Sequence, residues 1–103
     1  MYLVEKIMKT RSEIEQILKK NKPYLIKKFK VSKIGFFGSY ARNEQSKASD
    51  IDILVNFSSP IGWEFVDLKE YLEDILELNV DLVTIRALKS QLKDNILKEV
   101  VYT

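Results

Sequence analysis

The sequence predicts an α+β domain in which a small mixed β-sheet of three to four strands is backed by helices. Apolar residues that recur at three- and four-residue steps predict the helices, and short runs rich in β-branched residues predict the strands. A chain of 103 residues, 46% hydrophobic and 31% charged, has the composition of a folded protein and the length of one domain. We therefore expect residues 1–103 to form a single domain.

The first part of the chain is predicted to be helical. Thr10 can cap a helix together with Glu13, and apolar residues follow at helical spacing. We expect residues 21–22 to interrupt this helix. Pro23 then suits the first turn of a second, short helix over 24–29, because a proline is tolerated at that position.

Three strands and two further helices are predicted beyond residue 30. The first strand, 31–38, ends in a tight turn at Gly38, and a short helical turn follows over 40–44. A strand over 50–57 precedes a loop over 58–62. The order continues with a helix over 65–75, a strand over 80–85 and a helix over 88–101, whose apolar residues Leu92, Ile96, Leu97 and Val100 are expected to face the core.

Two residue types are missing from the chain. It contains no Cys and no His, which excludes disulfides, thiolate nucleophiles, imidazole acid–base chemistry and zinc sites of the usual kind. The sequence shows neither a signal peptide nor an apolar run long enough to span a membrane. Because a chain without cysteine needs no oxidising compartment, we expect a cytoplasmic protein.

Charge is unevenly distributed along the chain. Residues 1–47 carry a net charge of +8 and residues 48–103 a net charge of −6, although the whole chain is only +2. A basic first half suits an anionic partner such as a nucleotide, RNA or an acidic protein, and the later carboxylates could hold cations. The Lys-rich segment 19–33 is alternatively a solvated helix face, which is the more common meaning of such a run.

Two aspartates begin the second predicted strand. Strand alternation places Asp50 and Asp52 on one face, opposite Ile51 and Ile53. Neighbouring carboxylates repel unless positive charge lies between them, and ligands that offer only oxygen favour Mg²⁺ or Mn²⁺ over zinc or copper. A solvent-facing strand end, or a helix capped by Ser49, remains an alternative explanation of this pair.

Two other features extend this candidate site. Gly38 and Ser39 close one strand and open a helical turn, a place where backbone N–H groups bind phosphate oxygens. Ten residues separate Ser39 from Asp50, enough for a return to an adjacent strand. Asp81 joins the carboxylates if its strand lies beside theirs, which would suit a two-metal site. Otherwise Asp81 forms a salt bridge at a strand end, for example to Arg86.

Four features together resemble the signature of the DNA polymerase beta-like nucleotidyltransferase superfamily: the segment 37–39, the ten-residue spacing, the Asp-Ile-Asp-Ile run at 50–53 and the later Asp81. The fuller run over 38–55 is similar to the minimal nucleotidyltransferase (MNT) proteins, the antitoxins of HEPN/MNT toxin–antitoxin pairs. The resemblance covers nearly the whole chain. This sequence departs from the family pattern at Asn43, where glycine is usual, but Asn tolerates left-handed backbone geometry.

The resemblance implies an enzyme with the nucleotidyltransferase fold that uses Mg-ATP. It would transfer AMP, with loss of pyrophosphate, to a tyrosine of a partner HEPN ribonuclease toxin, silence that toxin and form a hetero-oligomer with it. Two other functions stay open: an antitoxin that masks the toxin by contact without catalysis, and a nucleotidyltransferase or repressor that acts on a polynucleotide through segment 19–33.

The resemblance also implies roles for individual residues. Gly38 and Ser39 would hold the terminal phosphates of the nucleotide. Arg42 matches an arginine that commonly follows the Gly-Ser turn, and it would lie near the phosphates or form a salt bridge to Glu44 or Asp50. The catalytic, metal-binding residues would be Asp50, Asp52 and Asp81, with two Mg²⁺ ions, or Mn²⁺ in their place.

Overall fold

The computed structural model describes residues 9–46 and 49–103. Residues 47 and 48, which belong to the run that resembles the MNT proteins, lie outside the described part of the chain. The elements in chain order are α1 (Arg11–Phe29), β1 (Val31–Phe37), β2 (Ile51–Phe57), α2 (Glu64–Leu76), β3 (Val80–Thr84), α3 (Ser90–Glu99) and β4 (Val101–Tyr102), with 3₁₀ turns at Gly38–Tyr40 and Ile85–Ala87.

The four strands form one mixed sheet in the order β3-β2-β1-β4. β1 pairs antiparallel with both β2 and β4, whereas β2 and β3 are parallel and connected through α2. A mixed sheet backed by helices confirms the predicted α+β class. The pairing brings the end of β1 and the beginnings of β2 and β3 to the same edge of the sheet, where the predicted site residues lie.

The first helix begins as predicted. The Thr10 hydroxyl accepts a hydrogen bond from the Glu13 N–H at 3.1 Å, and the Glu13 carboxylate accepts one from the Thr10 N–H at 3.0 Å. This reciprocal capping box satisfies two N–H groups that a helix start would otherwise leave unpaired.

The prediction of two separate helices in this region is wrong. α1 continues from Arg11 to Phe29 with Pro23 inside it. A proline removes one backbone hydrogen bond, but the buried residues on both sides of it, among them Leu18 and Leu25, lie on one helical face. The free energy gained by burying that continuous face outweighs the local cost of the proline. The prediction of a break in the helix at residues 21–22 overestimated that cost.

The hydrophobic core lies between the sheet and the helices α1 and α2. The central strand β2 contributes Ile51, Ile53 and Val55, all fully buried. At the edge of this core, Tyr71 of α2 donates a hydrogen bond to the Asn21 side chain of α1 at 2.9 Å. In the described part of the chain, no helix combines the length and the apolar character needed to cross a membrane.

The C-terminal segment differs from its prediction. The expected helix over 88–101 is shorter, because α3 ends at Glu99 and the chain then pairs with β1 as β4. No residue of α3 is fully buried: Leu92 is 55% exposed, and Ile96 and Leu97, together with Val100 just after the helix, are only partly buried. The expectation that all four residues face the core is therefore wrong for Leu92. Amphipathic spacing predicts a helix correctly here, but it does not specify the surface that the helix contacts.

Gly35 is the residue of β1 that allows β4 to pack closely. A Cβ at this position would meet the Val101 carbonyl oxygen at 2.6 Å and the Tyr102 Cα at 3.0 Å. We expect Gly35→Ala to lower the free energy of unfolding by about 1–3 kcal/mol through overpacking. Urea denaturation measures this change, and hydrogen exchange at Thr103, whose N–H donates to the Ile34 carbonyl at 3.1 Å, reports loss of β4.

Gly62→Ala is the matched control for this substitution. A Cβ there would find its nearest neighbour, a Glu64 carboxylate oxygen, at 3.9 Å, which is ordinary contact. Equal effects of the two substitutions would contradict the close packing of β4 against Gly35.

Candidate functional site

A sharp turn at Gly38 forms one side of the candidate site. Phe37 is still extended, and Gly38 then adopts a left-handed conformation with φ = 73°, which favours glycine. A Cβ on Gly38 would collide with the Asp52 carboxylate. Tyr40, which is 1% exposed, anchors the turn in the core. Glycine is therefore required here both by the backbone conformation and by the closeness of the strand β2.

Asp52 and Asp81 form the centre of the site. They are direct register partners on the parallel strands β2 and β3, and their carboxyl groups come within hydrogen-bonding reach. Partial burial raises the pKa of Asp52 to about 6, and the charges of Asp81, Asp50 and Glu99 add to this effect. Among the residues described, no ion pair joins Asp81 to Arg86, so the structure does not support the alternative of a strand-end salt bridge.

Asp50 lies just before β2 and is exposed. Its charge contributes to the raised pKa of Asp52, and after burial it is the second cause that raises the pKa of the Tyr40 hydroxyl. Asp50 therefore lies near the same turn and the same strand end as the other predicted residues.

The donor set fits a hard divalent cation, because it offers only carboxylate oxygens and because Asp81, Asp50 and Glu99 add negative charge around the partly buried Asp52. Across residues 9–46 and 49–103, however, no group of three or more acidic side chains is already arranged to hold a metal ion. The structure brings Asp52 and Asp81 together and leaves Asp50 at the exposed margin.

Arg42 lies beyond the turn in a network of charged groups. Its guanidinium donates to the Glu44 carboxylate at 2.6 Å and to both Glu99 oxygens, at 2.9 and 3.1 Å. The hydrogen bond to Glu44, followed by that to Glu99, raises the pKa of Arg42 above its ordinary value. The salt bridge to Glu44, one of the alternatives predicted for Arg42, is thus present, and the second partner, Glu99, was not predicted.

Sequence reasoning missed Glu99 entirely. Its carboxylate accepts a hydrogen bond from the Gly38 N–H at 2.9 Å, so it contacts the turn that was predicted to bind phosphate. The only sequence signal was an acidic residue near the end of a predicted helix, and such residues are usually solvated. The position of Glu99 depends on the pairing of β4 with β1, and the sequence pattern did not predict β4.

Asn43 adopts φ = 60°, the left-handed conformation that was expected to make its replacement of the usual glycine harmless.

A separate cavity of about 530 Å³ lies at the opposite ends of β2 and β3, between the 56–61 segment, Phe65, Thr84 and Arg86. None of the predicted site residues lines this cavity. The predicted site therefore belongs to the edge of the sheet at which β2 and β3 begin.

The fold and the site define a nucleotidyltransferase. Residues 11–103 match the nucleotidyltransferase domain family, and the chain belongs to that family. The chain is 49% identical over 96 residues to the protein adenylyltransferase MntA of Thermococcus cleftensis, an alignment that covers 92% of this chain and 97% of the relative. The family membership predicted from the Gly-Ser turn and the aspartates is confirmed.

Two solved structures extend the comparison. A toxin–antitoxin complex with AMP-PNP contains a chain with a TM-score of 0.63 and 28% identity, with coverage of 89% of this chain and 70% of that one. A tri-AMPylated HEPN toxin of Shewanella oneidensis in complex with its MNT antitoxin matches with a TM-score of 0.54 and 26% identity, with coverage of 89% and 66%. The structural neighbours of this chain thus include toxin–antitoxin complexes, one of them of an MNT antitoxin with a HEPN toxin.

Proposed function

We propose that the protein is an antitoxin that transfers AMP from Mg-ATP to a tyrosine of a HEPN-domain toxin and forms a hetero-oligomer with it. The observation that supports this function most directly is the pairing of Asp52 and Asp81 on parallel strands beside the turn at Gly38. The adenylyltransferase relative and the AMPylated HEPN complex support AMP as the transferred group and a HEPN protein as its acceptor. Residues 1–103 would act as one domain, in the cytoplasm.

In this proposal the turn binds the nucleotide and the carboxylates bind the cations. The Gly38 N–H, the Ser39 hydroxyl and Arg42 would hold the phosphates, because each offers hydrogen-bond donors and Arg42 also offers charge. One or two Mg²⁺ or Mn²⁺ ions would supply Lewis-acid stabilisation of the phosphoryl charge when bound. Their ligands would be Asp50, Asp52 and Asp81.

The chemistry is an in-line displacement at phosphorus. The phenolic oxygen of the acceptor tyrosine forms a bond to the α-phosphorus, the bond between that phosphorus and the oxygen bridging to the β-phosphate breaks, and pyrophosphate leaves. Asp81 would orient the phenol and accept its proton. No residue of this chain becomes covalently modified, so catalysis depends on positioning and on charge stabilisation.

Transfer of label from α-labelled ATP tests the proposal. With Mg²⁺ and a lysate of the native cells, we expect one labelled HEPN protein, resistance of the label to nuclease, no labelling from γ-labelled ATP, and a tyrosine–AMP adduct by mass spectrometry. The double substitution Asp50→Asn/Asp52→Asn should lower the signal at least about 1,000-fold.

Asp74→Asn, which removes an exposed carboxylate of α2, controls for the change in charge. A nuclease-sensitive product would instead identify a polynucleotide as the acceptor. If the double variant binds the toxin and neutralises it as well as the wild type does, masking by contact is the function and the catalytic proposal is wrong.

A further inference from the structure

Glu99 occupies the donors that the proposed function assigns to phosphate. It is the last residue of α3, and one of its carboxylate oxygens accepts from the Gly38 N–H at 2.9 Å. The Arg42 guanidinium reaches the two oxygens at 2.9 and 3.1 Å. The side chain is 26% exposed, so it is held against the turn rather than free in solvent.

Gly38 and Arg42 provide the donors of an anion-binding subsite, and the Glu99 carboxylate lies where the anion would bind. A backbone N–H on a turn and a guanidinium are the donors that recognise phosphate oxygens, and a carboxylate presents two similar oxygens with a negative charge. The location is otherwise unfavourable for a carboxylate, because Glu99 lies close enough to Asp52 to contribute to its raised pKa. The donors of Gly38 and Arg42 compensate for that repulsion.

We propose that Glu99 is an internal occupant of the phosphate subsite, which a nucleotide triphosphate must displace in order to bind. The inference rests on the proposed assignment of Gly38 and Arg42 to the phosphates. The backbone of the segment stays in place, because β4 begins two residues after Glu99 and pairs with β1 at Gly35 and Phe36. Displacement therefore needs only rotation of the Glu99 side chain.

An internal competitor lowers the apparent affinity for nucleotide to the intrinsic affinity multiplied by the fraction of molecules in which the subsite is open. Removing it should tighten binding, whereas removing a side chain that helps to hold the nucleotide or its cations should weaken binding. Substitutions at Glu99 therefore distinguish the two roles by the direction of the change.

The test measures binding of inorganic tripolyphosphate in EDTA, and of ATP with Mg²⁺, by calorimetry. We expect Glu99→Gln to lower the dissociation constant of both probes by about 3- to 10-fold. Glu99→Asp retains the charge but shortens the reach by one methylene, so we expect it to tighten binding too. Asp94→Asn removes an exposed carboxylate from the same helix and should change neither constant by more than about twofold.

Each other outcome overturns the proposal. Unchanged affinity in both Glu99 variants would mean that Glu99 does not compete, and weaker Mg-ATP binding would mark it as a cation ligand. Tightening in Glu99→Gln alone would indicate long-range repulsion rather than occupancy. A folded Gly38→Ala variant separates the two proposals: if it binds tripolyphosphate as well as the wild type does, the assigned subsite itself is wrong.

Discussion

Replacing Asp52 by Asn should abolish adenylyl transfer and at the same time stabilise the metal-free protein. Transfer should fall about 1,000-fold, because the substitution removes a carboxylate from the centre of the site. The stabilisation arises because burial and the neighbouring Asp81 make an ionised Asp52 unfavourable in the folded state, where its pKa is raised from 3.8 to about 6. Activity and stability thus move in opposite directions at this residue.

The direction of the pH effect follows from that raised pKa. Folding favours the protonated Asp52, so this group stabilises the fold below pH 3.8, and the stabilisation is lost as the pH rises through about 6. We expect the Asn variant to be more stable than the wild type at pH 8 by about 1–2 kcal/mol, a value reduced for solvent screening of a partly exposed group. The difference should disappear near pH 4.

Thermal and urea denaturation in EDTA at pH 4, 6 and 8 measures this difference, with Asp74→Asn as the control for removal of one exposed carboxylate. A variant that is less stable than the wild type at pH 8 would show that Asp52 is not in a repulsive environment. A variant that retains a tenth of the transfer activity would contradict the expected loss and would show that Asp52 is not central to the chemistry.

Replacing Gly38 by Ala should have the second large effect. The new Cβ would collide with the Asp52 carboxylate, and alanine is strained at φ = 73°. We expect a loss of about 1–3 kcal/mol in the free energy of unfolding. Binding of ATP should be lost even under conditions where the variant is fully folded, because the Cβ also displaces the N–H that is proposed to hold phosphate.

Circular dichroism establishes the folded fraction, and calorimetry with Mg-ATP then measures binding. Gly62→Ala is the matched control, because its Cβ would have no neighbour closer than 3.9 Å. If Gly38→Ala is no less stable than Gly62→Ala, the close approach of the turn to β2 is wrong. If the folded Gly38→Ala variant binds ATP normally, the turn does not hold the phosphates.

The sequence was most informative where a residue is constrained by its immediate neighbours. The strand ends, the glycine at the turn and the aspartates near the beginnings of β2 and β3 follow from local patterns: alternation, β-branched runs and turn chemistry. The proximity of Asp52 and Asp81 required one further condition, that their strands are adjacent, and the structure meets it.

The features that were not predicted depend on contacts between distant parts of the chain. α1 continues through Pro23 because residues on both sides of it pack on the same core. β4 has only two residues, too few for a periodic signal, and it exists because β1 offers an open edge with a glycine at the crossing point. Glu99 reaches Gly38 only because β4 fixes the chain that follows it.

The register between β2 and β3 restricts the insertions and deletions that the chain can tolerate during evolution. Asp81 faces the site because Val80 and Leu82, on either side of it, are buried. An insertion or deletion of one residue next to Asp81 would exchange the faces of the residues on one side of the change, so that either the aspartate turns towards the core or its buried neighbours turn away from it. Length changes in the segment 58–62, which lies between β2 and α2, leave that register intact. We therefore expect natural variants of this chain to differ in length at 58–62 and to keep the length of β3.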